Sequence, residues 1–166
     1  FMIRSVKKSC ALLGVVVLVT VGLLVGTGGA ERAFVTPSKT DKCPVCGMFV
    51  AKYPEWIAEI IFKDGTYVVF DGVKDMFKYY LNLPKYAPKR SGTDIDAIYV
   101  TDYYSLSPTD GTKAFYVIGS DVFGPMGKEL IPFAKESDAG GFVKDHKGKR
   151  VIRFKDVDRA VIRTLD

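Results

Sequence analysis

A chain of 166 residues, 48% hydrophobic and 26% charged with no low-complexity tract, has the make-up of one folded domain or two very small ones, which excludes a disordered or fibrous class. Of its 24 basic residues, Arg4, Lys7 and Lys8 fall in the first thirty positions, leaving 21 against 19 acidic residues beyond them. That near balance excludes a phosphate-binding surface and with it a nucleic-acid partner.

Residues 1–30 carry a basic start, an uncharged apolar run from about Ala11 to Gly26, and then small residues. This is the layout of a secretory signal ending at Ala30, or of a retained membrane anchor of about twenty residues. Either way the remainder is expected outside the cytoplasm, in the periplasm or on the outer face of the cytoplasmic membrane. Cys10 precedes the apolar run and is no candidate for lipid attachment. Residues 31–42, ERAFVTPSKTDK, are polar and aperiodic and read as a linker, so that the folded part spans 43–166.

The stretch WIAEIIF, a KDG turn and TYVVF predict two strands joined at Asp64-Gly65. Asp71 then caps a helix with Val73, Met76, Phe77 and Tyr80 on one face, stopped by Asn82 and Pro84. DAIYVTDYYS is the next strand. The second half repeats the order: FYVIG, a turn at Gly124 to Gly127, ELIPF with Pro132 at an edge or bulge, a Gly-interrupted helix in AKESDAGGFVKDH, the strand RVIRF, and a closing helix in VDRAVIRTL. The fold class expected is α+β, two tandem ββαβ units at about 43–105 and 112–166 after an N-terminal apolar helix.

Chemistry concentrates in DKCPVCGMFV. Cys43 and Cys46 stand at C-x-x-C spacing, Pro44 fixes one backbone angle, Gly47 permits a sharp turn, and the thioether of Met48 is a soft ligand. A structural zinc site needs a second Cys or His pair, and His146 is the chain's single histidine. The residues leave three readings of the pair open: a soft-metal site, a redox pair, or a disulfide whose very short loop gives little entropic stabilisation. Met126, in GPMG, is either a further soft ligand or a turn methionine folded onto the sheet. His146, in KDHKGK, is either a solvated residue at a helix end or the imidazole of a copper set. No Ser-His-Asp arrangement, phosphate loop or spaced carboxylate pair points to a hydrolase, and the acidic residues are expected on turns and exposed faces.

CPVCGMFV, the FDG helix start, FYVIGSDVFGPMGKELIPF and the following FVKDH together resemble the NosL family, accessory proteins of nitrous oxide reductase, from about residue 42 onward. The resemblance implies two similar ββαβ units and a Cu(I)-binding chaperone, not a catalyst. The implied site is Cys43, Cys46, Met48 and Met126, with His146 as a further candidate. The implied partners are a copper donor protein or a copper-enzyme client, and the membrane where the N-terminal segment is uncleaved. Many members carry an acylated cysteine at the end of the signal, which is absent after this apolar run. A thiol-disulfide oxidoreductase using Cys43 and Cys46 is the competing function.

Overall fold

The computed structural model describes residues 32–166, so the apolar segment read as signal or anchor lies outside the described residues. From Arg32 the chain runs against a sheet. Phe34 meets Tyr99 edge-on with ring centroids 6.2 Å apart, Arg32 pairs with Asp96 at 2.7 Å, and the Val35 N–H donates to Glu59 Oε2 at 3.0 Å. The first part of the expected linker is thus packed onto the domain.

Strand β1 (Ala58–Phe62) is buried along its whole length and turns at Asp64 and Gly65 into β2 (Tyr67–Phe70). Gly65 takes a φ of +85°, the left-handed region that glycine enters at no steric cost. Helix α1 (Val73–Tyr80) follows, then the single turn α2 (Leu83–Tyr86). Pro84 does not only stop a helix, as expected, but stands in the first turn of α2, where its missing N–H is not needed. β3 (Ile95–Thr101) and the short β4 (Pro108–Asp110), which no sequence pattern announces, complete a four-stranded antiparallel sheet in the order β2-β1-β3-β4.

β5 (Phe115–Ile118) begins a second sheet. A small hairpin of β6 (Phe123–Gly124) and β7 (Gly127–Lys128) interrupts the chain before β8 (Ile131–Phe133). β8 is shorter than the ELIPF run suggested, because Glu129 is drawn onto α1 instead of joining the ladder. Pro132 sits on this edge strand, as its missing donor requires. Helix α3 (Glu136–Asp145), β9 (Arg150–Arg153) and α4 (Arg159–Arg163) finish the chain, with sheet order β8-β5-β9. The architecture is mixed α and β with antiparallel sheets.

The main core joins Ile60, Phe62, Phe70 and Val100 of the first sheet to Met76 and Phe77 of α1 and to Val161 and Ile162 of α4. Each such large apolar side chain contributes about 1.5–3 kcal/mol on burial. Cys43 and Val50 belong to the same core, so the cysteine loop is welded to the fold. A smaller core under α3 holds Val117, Ile131, Phe133, Ala139 and Phe142.

The acidic residues are not all solvated: Glu59, Asp71, Asp75, Asp102 and Glu129 are buried. Buried carboxylates persist where partners or a function hold them, and three of the five border the cysteine loop or α1.

Candidate metal centre

The loop is closed by its own backbone. The Cys43 N–H donates to the Met48 carbonyl and the Gly47 N–H to the Cys43 carbonyl, both at 2.9 Å, while Lys42 and Phe49 form an isolated antiparallel bridge. Gly47 has a φ of +81°, which makes the sharp return possible. The turn presents amides to sulfur: those of Val45 and Cys46 face the Cys43 sulfur, and that of Met48 faces the Cys46 sulfur.

Two carboxylates meet this loop from the start of α1. Cys46 Sγ donates to Asp71 Oδ1 at 3.0 Å, and Cys43 Sγ to Asp75 Oδ2 at 3.4 Å. One ligand atom from each of Cys43, Cys46, Asp71 and Asp75 lies within 4.8 Å of the others. The second oxygen of Asp71 is buried with no hydrogen-bond partner, so the cluster holds an unused acceptor.

Asp71 was expected to cap α1, and it does not. The N-cap is Gly72, with no side-chain cap, and the first-turn N–H of Lys74 is met by Glu129 Oε1, 55 residues away in sequence. Because that orphan donor is already satisfied, Asp71 is left to face Cys46. A partial signal existed in FDGVKD, where Asp71 stands just before the helix cap and Asp75 in the first turn.

The electrostatics keep both sulfurs protonated. Burial pushes the Cys43 thiol far up, outweighing the amides that favour its thiolate. Burial first, and then the hydrogen bond to Asp71, push Cys46 up to about 12. A redox-catalytic cysteine has the opposite tuning, a depressed thiol, and both cysteines are free. The donor set of two thiols with buried carboxylates suits a metal that displaces protons.

Met48 is half-buried inside the loop itself. Met126 is exposed in the turn of the β6–β7 hairpin, and its carbonyl accepts from Lys74 Nζ at 2.8 Å, which ties that turn to the first turn of α1. His146 caps α3 against the smaller core: its ring stacks on Phe142 with centroids 4.3 Å apart, and Nδ1 is 3.3 Å from Asp121 Oδ1. It is not among the side chains that converge on the cysteines.

The profile of the NosL family matches residues 34–162. The copper-binding lipoprotein NosL of Stutzerimonas stutzeri is 32% identical over 131 residues, which cover 74% of this chain and 65% of that relative, so the chain spans just under two thirds of its length. The crystal structure of the copper chaperone NosL from Shewanella denitrificans superposes with a TM-score of 0.64 at 27% identity, covering 78% of this chain and 98% of the other. Those relatives are named for copper binding and for chaperoning copper, not as catalysts. This chain belongs to the NosL family.

Proposed function

We propose that this protein is an exported Cu(I)-binding accessory protein that hands copper to a copper enzyme such as nitrous oxide reductase. The observation that carries the reading is the convergence of Cys43 and Cys46 with Asp71 and Asp75, in a family whose relatives are named for copper. Thiolates and thioethers are the ligands that select Cu(I) over hard cations; Met48 stands two residues after Cys46, and Met126 lies in a turn whose carbonyl is held by Lys74 of α1.

Copper arrives as cargo and must displace two protons. The thiols already donate to carboxylates, so each S–H proton has an acceptor in place when its sulfur takes the metal. Both thiols give up their protons as the sulfurs take the metal, so uptake is coupled to proton release. Thioethers carry no proton and exchange readily, so they are the ligands a partner's cysteine or methionine displaces first.

The architecture supports a duplicated origin. β1, β2, α1, β3 and β5, β8, α3, β9 follow the same order, and each sheet has its first strand in the middle. The β6–β7 hairpin is the insertion that breaks the repeat, and it carries Met126.

The test is anaerobic titration of the reduced protein against a chromophoric Cu(I) chelator. A single Cu(I) per chain is expected, with loss of binding in Cys43→Ser with Cys46→Ser. Unchanged affinity in that double variant removes the reading.

A further inference from the structure

We propose that Glu129 and Lys74 are positioning residues, which lock the Met126 turn to the start of α1 and thereby set the approach of its thioether to the two cysteines. The proposal rests on the copper reading above and adds to it the device that holds the second half of the chain against the first.

The hairpin cannot hold itself. β6 and β7 are two residues each, paired only as Phe123 with Lys128 and Gly124 with Gly127, and isolated two-stranded hairpins are marginal in water even when longer. The side chains of Phe123 and Met126 are exposed, so apolar packing does not fix the turn either. Its anchorage is polar and buried.

Glu129 supplies one half of that anchorage. Its Oε1 accepts from the Lys74 N–H and from the Leu130 N–H, the latter at 2.9 Å, so a single oxygen bridges α1 and the end of the hairpin. The carboxyl lies between two glycines. A Cβ on Gly72 would stand 2.5 Å from Glu129 Oε2, and one on Gly124 would stand 3.2 Å from Glu129 Cγ. Gly72 has no room for a side chain against this group, and Gly124 leaves it little.

Lys74 supplies the other half. Its side chain is almost fully buried, and its ammonium donates to two main-chain carbonyls, Met126 at 2.8 Å and Leu165 at 3.1 Å, with Asp166 Oδ1 3.9 Å away. A buried ammonium is costly unless its hydrogen bonds are made, and here one of them grips the candidate ligand's own peptide group. Main chain and side chain of the same residue thus hold both ends of the turn, one residue before Asp75.

The experiment measures Cu(I) affinity and the number of sulfur ligands, by chelator competition and X-ray absorption, for Glu129→Ala in the wild-type and Met126→Ala backgrounds. Removing a group that only orients a ligand typically weakens metal binding by roughly 10–100-fold. The expected result is a loss of that size with one sulfur fewer in the wild-type background, no further loss once Met126 is absent, and recovery in Glu129→Gln, which keeps the accepting oxygen. Lys74→Leu gives the same comparison where Glu129→Ala folds poorly. Equal losses in both backgrounds, or no loss in either, overturn the proposal. Retained Cu(I) binding in Cys43→Ser with Cys46→Ser instead removes the copper reading itself, so the two failures are distinct.

Discussion

Cys46 Sγ stands 3.0 Å from Asp71 Oδ1, and the carboxylate's second oxygen is buried without a partner. The pair stores a proton on sulfur beside a group able to take it. Burial comes first among the causes that raise the thiol to about 12, with the Asp71 hydrogen bond next. Asp71→Asn removes the acceptor's charge and is expected to lower the Cys46 pKa, because the hydrogen bond that favoured the neutral thiol is weakened. The pH dependence of alkylation of the metal-free protein checks this. An unchanged profile shows that desolvation alone sets the thiol.

Glu59 gives the domain a pH-dependent stability. Strand alternation sends it to the face opposite Ile60, under the segment entering from Arg32, where Oε2 accepts from Val35 and Oε1 has no partner. Desolvation raises it to about 7, and burial raises Glu129 to about 8. Both groups bind a proton more tightly folded than unfolded. Their contribution is therefore fully present below the ordinary carboxylate pKa and is lost as pH rises toward 7 and 8, with a ceiling of about 1.4 kcal/mol per pH unit for one proton. Glu59→Gln is expected to match the wild type at pH near 4 and to be more stable at pH 8. Urea melts at the two pH values decide it, and equal pH slopes in variant and wild type count against Glu59.

His146→Ala separates the outlying candidate from the sulfur set. The imidazole is engaged by Phe142 of the smaller core and by Asp121, far along the chain from the cysteine loop. The expected outcome is unchanged Cu(I) affinity with a stability loss of about 0.5–1.5 kcal/mol from the lost ring stacking. A tenfold weaker Cu(I) complex would place the imidazole on the metal.

How much of this was legible in the sequence follows from range. Local signals were readable: the Asp64-Gly65 turn, the apolar face of α1, and the cysteine loop closed by Gly47 all depend on residues within a few positions of one another. The role of Asp71 was not, because it depends on whether another group satisfies the α1 terminus, and that group is Glu129, 55 residues later. β4 was missed for a similar reason: in PTD two of three residues, Pro and Asp, disfavour strands, and it is extended where Tyr99, Val100 and Thr101 offer it a partner. Burial of carboxylates likewise has no local signature. Half of the site, the thiols, was written in a motif; the other half was written in tertiary contacts.

Glycines with equal room and different backbones give the sharpest prediction. A Cβ on Gly47, Gly140 or Gly141 would meet nothing within 4 Å, so sterics with neighbours do not distinguish them. Gly47 has a φ of +81°, whereas Gly140 and Gly141 sit inside α3. Gly47→Ala forces an L side chain into the left-handed region, with an expected cost of about 1 kcal/mol or more and a looser cysteine loop, read as weaker Cu(I) binding. Gly140→Ala and Gly141→Ala reduce the entropy of the unfolded chain and improve helix propensity, with an expected gain of about 0.4–1 kcal/mol each. Thermal melts of the three variants in the metal-free state decide the signs. A Gly47→Ala protein as stable as the wild type, with undiminished Cu(I) affinity, would mean that the sharp return at residue 47 is not what holds Cys43 and Cys46 together.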